Sequence, residues 1–324
     1  MKSFNIKTIG IAIAGFFCVL LAWYFGGSKT NIASVPNQST DSGYQLSSSF
    51  PPSESRQQVV GELQQNPRKT LAMAKAFYAS KDLRAFAEMA KNHPDEGGVT
   101  YAINATELCI QVKEIPEIKP SAQADSIAYG KRSSALSDLR YRCQGFSSRE
   151  VSIEGLGELY RTSKERKDIL VDNKNSFLLT LGHSGMEIST SANQRIHILN
   201  ELSQLQDPSS IDTFGREISK YTDKDGNAGF WINGKPYFSE TQVALVNNAW
   251  DWVPCSMDMD CGANSITLEM YCATEGKCFD NITDYYKAGV YANNPKGYEE
   301  LVSVKDKIVD AIQHRNFGML LKPQ

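Results

Sequence analysis

Six of the seven cysteines stand between Cys109 and Cys278, and an even set of this kind decides how the chain can close on itself. Four of them, Cys255, Cys261, Cys272 and Cys278, are spaced C-x5-C-x10-C-x5-C in the segment PCSMDMDCGANSITLEMYCATEGKCFD. Structural zinc sites pair their ligands across about two to four intervening residues, so this wider spacing points away from a zinc knuckle. A thioredoxin-like role has no C-x-x-C to rest on. Two disulfides are therefore expected in the tail, with the connectivity open, because four cysteines allow three pairings. The other two cysteines fall on helical patterns. Cys109 shares a face with Tyr101, Ala105 and Leu108, and Cys143 shares one with Leu136 and Leu139. A Cys109–Cys143 bridge would close a loop of about 35 residues and stabilise the fold by roughly 2 to 4 kcal/mol on the chain-entropy account.

Disulfides persist in exported compartments, and the amino terminus offers a route to one. Lys2 and Lys7 precede an uncharged run from Thr8 to Phe25, TIGIAIAGFFCVLLAWYF, followed by Gly26, Gly27 and Ser28. About 18 apolar residues approach the length that spans a bilayer, whereas the apolar region of a cleaved signal covers about 7 to 15. Trp23, Tyr24 and Phe25 close the run as an interfacial belt would. Cys18 is preceded by Phe17, where a lipoprotein signal requires a small residue. The positive-inside rule then places residues 1–7 in the cytoplasm, residues 8–25 across the membrane as an anchor or uncleaved signal, and the rest outside. Residues 26–55 are rich in Ser, Asn, Gln and Pro and read as a disordered tether. Residues 56–324 form the expected extracytoplasmic domain, with a cysteine-rich part at 250–324.

Within that domain apolar spacing predicts helices. Leu83, Phe86, Ala87 and Ala90 form one stripe, and Tyr101, Ala105, Leu108 and Val112 another. Between them His93, Pro94, Asp95, Glu96, Gly97 and Gly98 break the first helix and place acids for the first turn of the second. Further stripes run through Leu136, Leu139 and Cys143; Ile153, Leu156, Leu159 and Tyr160; Ile198, Leu202 and Leu205; and Tyr298, Leu301, Val302, Ile308, Val309 and Ile312. The exception is YTDKDGNAGFWINGKPYF, from Tyr221 to Phe238. There Asp225-Gly226 and Asn233-Gly234 flank Phe230, Trp231 and Ile232, which predicts a short β-hairpin with Pro236 holding its second strand to an edge. The fold class is thus mainly α: an irregular, repeat-like set of helical hairpins with one β-hairpin, stapled by disulfides, after a transmembrane helix.

Candidate chemistry is sparse. Leu179 to Met186 (LTLGHSGM) resembles the nucleophile elbow of α/β-hydrolases, with Ser184 as nucleophile and His314 or His197 with an acid between as partners, for example Asp212 with His314. Met186 stands where the elbow's second glycine belongs, and no alternation of strands and helices precedes it. Asp223, Asp225, Gly226 and Asn227 resemble part of a calcium loop, but its first and last ligands would fall on Tyr221 and Ile232. Asp258, Asp260 and Glu269 read as a solvated acidic face. The formal net charge of -3, with scattered Lys and Arg, gives no footprint for nucleic acid. No cofactor and no metal site are assigned.

The hairpin from Thr70 to Val112, with Ala72, Ala76, Ala79, Ala102 and Ala105 at close-packing positions, loosely resembles tetratricopeptide and Sel1-type repeats. The stretch GGVTYAINATELC together with the tail from CSMDMDCG to GKC is similar to a group of uncharacterised exported proteobacterial proteins. That resemblance implies a periplasmic setting and no particular activity. The expected partners are the inner membrane, through residues 8–25, and a protein or peptide of the cell envelope. The function expected is interaction or scaffolding, with a serine hydrolase on Ser184 as the alternative.

Overall fold

A computed structural model describes residues 67–118, 126–170 and 192–322. The expected anchor at 8–25, the tether and Ser184 lie outside these residues. Among the described residues no helix is long and apolar enough to cross a membrane.

The domain is mainly helical, and its first helices form where their stripes predict. Helix α1 (Pro67–Ala79) leads to α2 (Leu83–Ala90), which Asp82 caps by accepting from the Ala85 amide at 2.9 Å. Its buried residues are Leu83, Phe86, Ala87 and Ala90, the predicted stripe. Helix α3 (Gly98–Glu114) begins directly against the end of α2. A Cβ on Gly98 would stand 2.0 Å from the Ala90 carbonyl oxygen, so only glycine allows this approach. Asp95 and Glu96, expected in the first turn of α3, instead form a 3-10 turn (Pro94–Glu96) before it. The amides of that first turn are served from far along the chain. Asp168 accepts from Val99 N at 2.8 Å, Thr100 N at 3.3 Å and Thr100 Oγ1 at 2.7 Å.

Helices α4 (Ser126–Cys143) and α5 (Ile153–Glu165) pack on α3. Tyr160 of α5 donates to Glu107 at 3.0 Å. Ile153, expected on the inward stripe, occupies the first helical position off that contact and is 65% exposed. Helices α6 (Ala192–Leu205) and α7 (Pro208–Ser219) follow, and Ile198, Leu202 and Leu205 are buried as predicted. Asp207 caps α7 through Ser210 N at 2.7 Å and accepts the Tyr101 hydroxyl at 2.5 Å, fixing α7 to α3.

The segment expected to form one hairpin forms two. Strands β1 (Lys220–Thr222), β2 (Ala228–Ile232) and β3 (Lys235–Tyr237) make an antiparallel meander in that order. Both turn dipeptides reverse the chain, and Lys220, Tyr221 and Thr222 add a strand that the hairpin expectation left out. Pro236 lies on an edge strand, as its missing N–H requires.

Helix α8 (Glu240–Trp252) starts at a capping box of Ser239 and Gln242. A 3-10 turn (Val253–Met257), helix α9 (Ile266–Glu275), a π-helix (Tyr285–Val290) and helix α10 (Pro295–Gln313) complete the described chain, with a 3-10 turn at Phe317–Leu320. Helix α4 packs against α9, and α8 against α10. One apolar cluster runs from Met73 to Leu321 through most of these elements, α5 and β1 being among the exceptions, with Trp250, Tyr101, Phe230 and Phe317 among its buried side chains.

The six cysteines among the described residues are all bridged. Cys109–Cys143 joins α3 to α4, as their inward faces predicted, and the tail cysteines pair as Cys255–Cys261 and Cys272–Cys278. The second and third bridges are connected through the backbone, since Gly262 pairs with Asn281 and Ile282 N donates to the Cys261 carbonyl at 3.2 Å.

Candidate interaction surface

The meander has two unlike faces because strand side chains alternate. Phe230, Ile232 and Tyr237 point into the core, each 2% exposed or less. Trp231 points the other way. Register places Tyr221 opposite Gly229 and Pro236 opposite Trp231, so Tyr221, Trp231 and Pro236 share the outer face. Phe238, two residues beyond Pro236, lies over Gly229, where a Cβ would come within 2.6 Å of its ring. Glycine at 229 is thus what lets Phe238 fold across the sheet.

The result is an aromatic group on the solvent side of a sheet. The Tyr221 ring meets Phe238 at 5.0 Å and Trp231 at 6.4 Å between centroids, with interplanar angles of 78° and 81°. These edge-to-face contacts make a ridged surface rather than one flat plane. The Lys322 ammonium sits 4.9 Å from the Tyr221 centroid. Tyr221, Trp231 and Phe238 are all half-buried, and Pro236 is exposed. At one end the Asp223–Asn227 turn is closed by Asp223, which accepts from Asp225 N and from both nitrogens of Asn227. These bonds hold the Asp223 carboxyl below its ordinary range. Its oxygens are committed to the turn.

The polar residues singled out in the sequence are engaged elsewhere. Asp212 pairs with Arg216 at 2.7 Å, His197 with Glu201 at 3.0 Å and His314 with Asp310 at 2.9 Å, and both histidines are exposed. Asp212 and the two histidines thus stand in three separate pairs, and Ser184 lies outside the described residues. Asp258 pairs with Lys75, and Asp260 accepts from the Gly262 amide.

Glu269 departs from the reading of a solvated face. It is buried on α9 and bound by Arg142 of α4, Nε to Oε2 at 3.0 Å and Nη2 to Oε1 at 3.1 Å. The same guanidinium also donates to the carbonyls of Asn264, at 3.0 Å, and Ser80. Burial raises the Glu269 carboxyl, and Arg142 works against that rise. Among the described residues no group of three or more His, Cys, Asp or Glu is placed to hold a metal ion. No family model, curated protein or solved structure matches the chain.

Proposed function

We infer that the chain is a membrane-tethered binding protein of the cell envelope, with residues 8–25 in the inner membrane and the disulfide-stapled helical domain in the periplasm. It holds a protein or peptide partner against the outer face of its sheet. The aromatic face carries this reading. Tyrosine and tryptophan combine a large apolar body with a polar tip at low conformational cost, and they are enriched where proteins meet. Rings set edge to face leave ridges and notches that suit the side chains of a peptide better than the flat ring of a sugar. The bridges support an oxidising compartment. The apolar run behind two lysines supports the tether and its orientation.

The test is site-specific photocrosslinking in intact cells, with a photoreactive residue at Trp231 or Phe238 and a control at the exposed Asp306 of α10. A discrete protein adduct at the two sheet positions, absent at the control and lost on Tyr221→Ala, is the expected outcome. Equal adducts at all three positions, or none, would overturn the reading.

A further inference from the structure

Helices α7 and α8 meet at a charge arrangement that is out of balance. A single nitrogen of Arg216, Nη2, stands 2.7 Å from Asp212 Oδ1 on its own helix and 2.9 Å from Asp251 Oδ1 on α8. Two carboxylates from two helices thus share one guanidinium, and their oxygens are brought close together. The side chains of Asp212 and Asp251 are 20% and 31% exposed. They retain an edge to water through which a proton can pass.

We propose that Asp212, Arg216 and Asp251 form a proton-operated latch between α7 and α8, which takes up one proton and grips more tightly as the surroundings turn mildly acidic.

Among the described residues, the charged groups that face the latch are bound to partners of their own. From α7 itself comes Glu217, which adds negative charge and is paired with Lys220 at 2.5 Å. From α1 comes Tyr78, from α9 Tyr271, and from the π-helix Tyr285 and Tyr286, all affected by the charge of one or both aspartates. Arg195 of α6 is directed to the carbonyls of Ile218 and Lys220, and His197 of α6 to Glu201. The 3-10 turn after α8 offers only the bridged Cys255, and Asp258 beyond it pairs with Lys75. Lys305 of α10 lies over Trp252 and pairs with Asp306.

A carboxylate crowded by burial and a like charge holds its proton to higher pH. Burial, opposed by Arg216 and reinforced by Asp251, pushes Asp212 up to about 7, and burial raises Asp251 as well. In the unfolded chain an aspartate releases its proton near pH 3.9. Between those values the folded state holds a proton that the unfolded state lacks, so stability grows as pH falls from 7 and is lost as pH rises through 7. One such proton changes the unfolding constant by up to about tenfold per pH unit. The latch adjoins the aromatic tail, since Trp252 follows Asp251 and stacks on Tyr286 at 5.1 Å.

The experiment is urea unfolding of the full chain in detergent at pH 8, 7, 6 and 5, for wild type, Asp212→Asn and the exposed control Glu299→Gln on α10. Wild type and the control should share a fall in unfolding constant of up to about tenfold per pH unit below 7, and Asp212→Asn should lose it. Equal pH dependence in wild type and Asp212→Asn would overturn the latch. Should Asp212→Asn fail to fold, a carbon-13 titration of the Asp212 carboxyl in wild type decides. A midpoint near 7 supports the proposal and one below 5 refutes it.

Discussion

The first bridge and the tail bridges do different work. Cys109–Cys143 spans 34 positions and joins two helices, whereas Cys255–Cys261 and Cys272–Cys278 each span 6 and close a local loop. The helices up to α5 are held by ties between residues distant in sequence: this disulfide, and Asp168 on the start of α3. The tail instead combines local bridges with ring stacking, such as Tyr271 on Tyr285 at 4.3 Å. Among the described residues Arg142–Glu269 is the buried ion pair that connects the two regions, across 127 positions, beside the exposed pair of Lys75 and Asp258. Short bridges preserve the shape of a segment, and only distant ties tell that segment where to sit.

Breaking that connection should have the largest effect. Arg142→Met leaves Glu269 buried without its partner and two carbonyls without a donor, so a loss of about 3 to 5 kcal/mol is expected in urea unfolding. A loss below about 1 kcal/mol would show that this pair adds little to the packing and to the remaining ties, among them Arg132 on the Ala273 carbonyl. The bridges themselves can then be compared directly. On loop length the Cys109→Ala, Cys143→Ala pair should cost about 4 kcal/mol and the Cys255→Ala, Cys261→Ala pair about 2 kcal/mol. Equal losses would remove loop length as the explanation of the difference.

The same contrast governs what could be read in advance. Leu83, Phe86, Ala87 and Ala90 predicted α2 because a helical stripe is written within a single segment. The Cys109–Cys143 bridge was legible because each cysteine lies on the apolar face of its own helix. The tail pairing was not, since its symmetrical spacing favours no connectivity. Glu269 was misread because nothing near it in sequence announces Arg142. The start of α8 was signalled by Ser239 and Gln242, a capping pair that apolar spacing alone passes over. Half of the aromatic face was also within reach. Alternation already sets Trp231 opposite Phe230 and Ile232, but the presence of Tyr221 depends on a third strand, and that of Phe238 on what glycine at 229 permits.

The smallest effect tests whether distant ties matter one at a time. Asp168 is fully buried and makes its bonds to the first turn of α3 from about seventy positions away. Asp168→Ala removes a cap and the charge that favours a helix start, for which about 1 to 2 kcal/mol is expected. Ser265→Ala removes a cap of α9 supplied by its own segment, through Leu268 N at 3.3 Å, and should cost about 1 kcal/mol or less. Hydrogen exchange separates the two. With the Asp168 change, protection should fall at Val99 and Thr100 and also in the 166–170 segment, because the tie orders both of its ends. With the Ser265 change, the fall should stay within the first turn of α9. If both losses remain local, the order of the 166–170 segment comes from the buried Leu170 instead of from the carboxylate beside it.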